Sequence, residues 1–89
     1  MAYELGFSEK AKREWDRLDD TVRSQFQKVL ARRLESPKVP SARLHGRPER
    51  YKIKLRSVGY RLLYEVRDRQ LLVLVIAVGR RDSVYDDLD

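Results

Sequence analysis

The run Tyr51-Lys52-Ile53-Lys54-Leu55-Arg56 alternates apolar and cationic residues at a spacing of two. On a strand, successive side chains point to opposite faces. Tyr51, Ile53 and Leu55 then enter a core, and Lys52, Lys54 and Arg56 form a cationic row on the other face. A sheet face made of cations repels itself, and a docked polyanion relieves that repulsion. Crowding also has a chemical effect. A lysine is a poor base at its ordinary pKa of about 10.4, but neighbouring cations lower that value and make neutral amine available to accept a proton. A second basic cluster, Gly79-Arg80-Arg81, follows further along the chain.

The charge is local. Residues 1–35 carry +1, residues 36–81 carry +9 and residues 82–89 carry −4, which together give the chain its +6. A basic second half points to nucleic acid or to an acidic protein partner. The chain has no cysteine, which excludes a disulfide framework and a zinc–thiolate site. No Asp/Glu/His cluster offers a metal site and no Gly-rich phosphate loop appears, so neither cofactor nor metal is expected. The single histidine, His45, sits in a Gly/Pro loop without a second histidine or a nearby acid, and reads as a surface residue. The opening Met-Ala-Tyr-Glu-Leu lacks the layout of a signal peptide. The longest apolar run, Leu71 to Val78, is far too short to span a bilayer. A cytosolic protein is expected.

The elements that must position the cations follow from periodicity. One small domain over residues 1–89 is expected, of the α+β class. Tyr3, Leu5 and Phe7 alternate as a first strand. Ser8 caps a helix with Ala11, Trp15 and Leu18 on one face. Asp19-Asp20 ends it and caps a second helix, from Thr21 towards Glu35, with Val22, Phe26, Val29, Leu30 and Leu34 along one side. Ser36-Pro37 stops that helix, because a residue before proline disfavours helix. The two form an αα-hairpin. After a loop over residues 37–49 come three strands, Arg50 to Arg56, Tyr60 to Arg67 and Leu71 to Val78, joined by short connections into an antiparallel meander.

Closing the core requires odd positions of the first meander strand to pair with even positions of the next. We expect Arg56 opposite Arg61, Lys54 opposite Leu63 and Lys52 opposite Glu65. The third strand, apolar on both faces, is expected at the centre of the sheet. Hairpin connectivity brings the ends of the first and third meander strands and the start of the second to one edge. Lys54, Arg56, Arg61, Arg80 and Arg81 should converge there.

These residues resemble the RelE family of bacterial toxins. The likeness is carried by Tyr51 to Ser57, by Gly59-Tyr60-Arg61-Leu62, and by Val78-Gly79-Arg80-Arg81 followed by Tyr85. The opening Ala2 to Phe7, Trp15 and Leu18, and Leu34-Glu35-Ser36-Pro37 add to it. The resemblance implies the RelE/ParE fold, a microbial-RNase-like sheet packed on helices. It implies a ribosome-dependent endonuclease that cuts messenger RNA in the decoding (A) site. It also implies an acidic RelB-like antitoxin, and a toxin–antitoxin complex that binds operator DNA through the antitoxin.

Carried over residue by residue, Lys52 and Lys54 serve the ribose 2′-hydroxyl and the phosphate. Arg61 holds the phosphate, Arg81 assists the departing 5′-oxygen and Tyr85 stacks on or orients a base. Arg56 and Arg80 are expected RNA contacts. Only Asp82, Ser83 and Val84 separate Arg81 from Tyr85, a shorter segment than the family pattern. Two other readings share the fold: a ParE-type inhibitor of DNA gyrase, which does not need Lys52, Lys54 and Arg61, and a non-catalytic module whose basic sheet binds antitoxin or RNA. Lys52 also has a plainer role open to it, as a cross-strand ion pair with Glu65.

Overall fold

The computed structural model describes residues 2–84. A short strand β1 (Glu4–Phe7) leads into α1 (Glu9–Asp16) and α2 (Asp20–Glu35), and a 3₁₀ turn (Pro40–Ala42) interrupts the following loop. Then come β2 (Arg50–Leu55), β3 (Tyr60–Arg67), a 3₁₀ turn (Asp68–Gln70) and β4 (Leu72–Arg80).

The helix starts are set by side-chain caps. Ser8 Oγ accepts from the Ala11 amide at 3.1 Å, and an Asp19 oxygen accepts from the Val22 amide at 2.8 Å. Each satisfies an amide that has no partner within its helix. Ala11 and Trp15 from α1, and Val22, Phe26 and Leu30 from α2, are buried. They pack on Tyr51, Ile53, Leu55, Leu62, Tyr64, Val66, Val73, Val75 and Val78 of the sheet.

The sheet order is β1-β4-β3-β2. The β2–β3–β4 meander is antiparallel, and β1 runs parallel beside β4. The apolar strand is therefore central, as its composition indicates. The β2–β3 parity is also as expected, but the register differs by two residues. Lys54 lies opposite Arg61, Lys52 opposite Leu63 and Arg50 opposite Glu65. The cause is the turn. Residues 56–59 form a wide connection in which the Val58 and Gly59 amides both donate to the Leu55 carbonyl, at 3.3 and 3.0 Å. Gly59 adopts a positive φ of 70°, a conformation open to glycine at little cost. Arg56 thereby leaves the strand. The Lys52–Glu65 pair does not form: Glu65 accepts instead from Arg50 Nε at 3.2 Å and Arg67 Nε at 2.8 Å. These arginines, Arg67 foremost, hold its carboxyl below the ordinary range.

β3 and β4 contain a second irregularity. Leu63 faces Ala77, but Tyr64 faces Val75, so Ile76 is an extra residue in β4. Such a β-bulge reverses the facing of everything beyond it. Val73 and Val75 face the helices before it, and Val78 does so after it. Arg80 follows Val78 onto the helical face, and Gly79 takes the outer face opposite Arg61.

Candidate active site

Lys54, Arg56, Arg61 and Arg81 line one cleft at the edge of the sheet, with Leu55, Gly59 and Tyr60 beside them. Its volume is about 240 Å³, below the roughly 300–1,000 Å³ of small-molecule pockets. Three segments build it. β2 supplies Lys54, and β3 supplies Arg61 directly across from it. Arg81 arrives by a different route. The Ser83 and Val84 amides both donate to the Arg80 carbonyl, at 3.1 and 3.0 Å, and turn the chain back over the outer face. Val84, only 3% exposed, is buried there with Leu63 and Ala77. The Arg81 amide donates to the Gly59 carbonyl at 2.9 Å, which ties this segment to the β2–β3 turn. The Arg81 side chain is 69% exposed, and its only described carboxylate neighbour is Asp82, at 3.9 Å.

Like charges directly opposite in a sheet destabilise it, and Lys54 carries the burden. Its pKa is lowered from the ordinary lysine value, first by Lys52 on the same face of β2, then by partial desolvation, then by Arg61 and Arg56. A lowered amine beside fixed cations can accept a proton from a hydroxyl, while the arginines hold an anion and stabilise charge that grows on it.

Of the residues expected to converge, Lys54, Arg56, Arg61 and Arg81 do. Lys52 projects from the same face but lies in the adjoining concavity on the outer edge of β2. Arg80 does not join them. The bulge at Ile76 places it on the helical face, its guanidinium 5.2 Å from the centre of the Tyr60 ring, in a groove with Glu14, Arg17 and Leu18. Tyr85 lies outside the described residues. His45 is exposed in its loop. Tyr51 and Tyr64 are core residues, their rings stacked at 5.6 Å.

Arg33 was not singled out in the sequence, yet it reaches the site's edge. Its Nη1 donates to the Lys52 carbonyl at 3.2 Å and to the Tyr64 hydroxyl at 2.8 Å. A signal for it exists: Arg33 falls seven residues after Phe26, so a cation occupies the apolar stripe of α2.

Comparison with known proteins agrees with this architecture. Residues 5–85 match the family model described as the ParE toxin of type II toxin–antitoxin systems, parDE. The chain is 52% identical over 89 residues to the mRNA interferase toxin RelE of Escherichia coli K12, covering 98% of this chain and 94% of that protein. The isolated E. coli RelE toxin superposes with a TM-score of 0.87 over 89% of this chain and 84% of that one, at 52% identity. The toxin in the intact E. coli RelBE toxin–antitoxin complex gives 0.86, over 89% and 96% of the two chains, also at 52% identity. Sequence and architecture agree over nearly the whole length, and the chain belongs to the RelE family of toxins within the wider ParE toxin family.

Proposed function

We propose that this chain is the toxin of a type II toxin–antitoxin pair and acts as an mRNA interferase, cutting messenger RNA in the ribosomal A site and so stopping translation. Its partner is an acidic RelB-like antitoxin, its place is the cytoplasm, and its substrate is message held on the ribosome. The observation that carries this reading is the cleft in which Lys54, with a lowered pKa, faces Arg61 and Arg81. Cations brought from three separate segments onto one small cleft suit the stabilisation of charge growing on a phosphate.

In this reading the Lys54 amine, assisted by Lys52, takes the proton of the ribose 2′-hydroxyl. The 2′-oxygen attacks the adjacent phosphorus, and the bond to the 5′-oxygen breaks. The products are a 2′,3′-cyclic phosphate and a 5′-hydroxyl, the latter completed by a proton from solvent. Arg61 holds the non-bridging oxygens. Arg81 stabilises the departing 5′-oxygen as a fixed charge. Arg56 steers the message. Tyr85 stacks on a base, a contact worth roughly 1–3 kcal/mol. Lacking a histidine–carboxylate pair, the site is a weak catalyst alone, and the ribosome shapes the substrate for it.

Primer extension on a defined message in a purified translation system tests this. Wild type is expected to cut within the A-site codon only when ribosomes are present, and Lys54→Ala and Arg81→Ala are expected to abolish the cuts. A folded wild type that leaves message intact under these conditions overturns the nuclease reading and directs attention to gyrase supercoiling.

A further inference from the structure

The cleft does not exhaust the cationic surface. A second concavity runs along the outer edge of β2, lined by Arg33, Ser41, Ala42, Lys52, Lys54 and Arg56. It shares Lys54 and Arg56 with the cleft, so the two adjoin. Four cations and one hydroxyl line it, and no carboxylate does. Such a concavity attracts an anion.

Arg33 is the distinctive member. It arrives from the last turn of α2, a helix that contributes nothing to the cleft itself. Its Nη1 is held by the Lys52 carbonyl and the Tyr64 hydroxyl, and that hydroxyl donates onward to the Pro37 carbonyl at 2.7 Å. Its Nε and Nη2 have no acceptor among the described residues. A guanidinium anchored at one nitrogen is already ordered, so little further entropy is lost when its remaining donors meet a phosphate. With the scissile phosphate against Lys54 and Arg61, the next anion along the message is the neighbouring phosphate, and the adjoining concavity is the cationic surface beside it.

We infer that Arg33, with Lys52, Arg56 and the Ser41 hydroxyl, forms a second phosphate subsite that holds the linkage next to the one being cut. The inference rests on the nuclease reading above and deepens it. Arg33 acts on affinity and register, not on the chemical step.

The test uses a short single-stranded oligonucleotide, 2′-deoxy at the cut position so that it binds intact. In a matched series, one linkage at a time is a neutral methylphosphonate. Binding to the whole protein is followed from low salt upward. Wild type is expected to lose several-fold affinity at two adjacent linkages. Arg33→Met keeps the apolar stem and loses the guanidinium. It is expected to lose sensitivity at the second linkage alone, and its log–log salt slope should fall by about 0.7, the value of one phosphate on a single strand.

Tyr64→Phe removes the anchoring hydroxyl but not the charge, and is expected to keep both sensitivities. A uniform loss at every linkage in both variants, with an unchanged slope, means that Arg33 serves only the fold and overturns the subsite. Should Arg33→Met fail to fold, Ser41→Asp places a negative charge in the same concavity from an exposed position. It must erase the same sensitivity, and a wild-type profile in it overturns the proposal. Ribosomal cleavage by wild type is measured alongside. Its absence defeats the nuclease reading, and its presence with an unaltered linkage profile in Arg33→Met defeats the subsite alone.

Discussion

At the residue scale, Lys54 is the proposed base, and its setting makes a sharp expectation. Lys52 is the largest cause of its lowered pKa, so Lys52→Met should move the Lys54 pKa up towards the ordinary lysine value. Titration of the Lys54 side-chain amine by NMR measures this directly. In cleavage assays the rate should climb with pH as Lys54 loses its proton, and in Lys52→Met the climb should begin at higher pH. Replacing Lys54 by Ala should cost about 10²–10⁴-fold in rate, the range of general-base catalysis. A change within threefold would remove Lys54 from that role. The lysine row was legible because alternation of charge and apolarity is the signature of a half-buried strand. That Lys54 faces Arg61 and not Leu63 was not legible. A two-residue slip keeps every side chain on its own face, so the pattern is blind to it. Arg33 is harder to read for another reason. A cation in the apolar stripe of α2 is its one local mark, and its partners, the carbonyl of an edge strand and the hydroxyl of a core tyrosine, are distant in sequence.

At the element scale, turns and the bulge decide which cations meet. Gly59 and Leu71 both sit at positive φ, 70° and 50°, and substitution should act in opposite directions. Left-handed backbone costs a residue with a Cβ roughly 1–2 kcal/mol. Gly59→Ala is expected to lose about 1 kcal/mol of stability and to weaken cleavage, because the Gly59 carbonyl anchors the Arg81 amide. Leu71→Gly should gain about 0.5–1 kcal/mol, since its side chain is exposed and its αL strain is relieved. Urea unfolding of the two variants checks both signs, and equal destabilisation by both would refute the assignment. Helix starts were readable at Ser8 and Asp19 because capping is local chemistry. The bulge was not. Ile76, Ala77 and Val78 are all apolar, so nothing in that run announces an extra residue, and its effect on Arg80 appears only when the strands are paired.

At the scale of the whole molecule, one exposed carboxylate ties three distant segments. Asp68, in the β3–β4 turn, accepts from the Tyr3 hydroxyl at 2.8 Å and pairs with Lys38. Lys38 first, then Tyr3, holds the Asp68 carboxyl below its ordinary value of 3.8, and Asp68 raises Lys38 above its ordinary 10.5. The sign of each contribution follows. A lowered carboxyl stabilises the fold above its unfolded pKa and ceases to do so as pH falls through the lowered value. A raised lysine stabilises below its unfolded pKa and ceases to do so as pH rises through the raised one. Asp68→Asn should therefore be less stable than wild type at neutral pH, by a modest amount because the groups are exposed and screened. The difference should narrow in acid as pH falls through the lowered value, and thermal unfolding at pH 7 and pH 2.5 would show it. A gap as wide at pH 2.5 as at pH 7 would mean that the pair is not ionic in effect.

The strand order carries a further consequence. β4 lies between β1 and β3 and is the last of the described strands to leave the ribosome, yet Glu4 has no partner until Leu72 exists. Before that, β2 and β3 form only a two-stranded hairpin, which is marginal in water. A nascent chain is therefore an incomplete blade, and the cleft closes only after β4 and Arg81 have emerged.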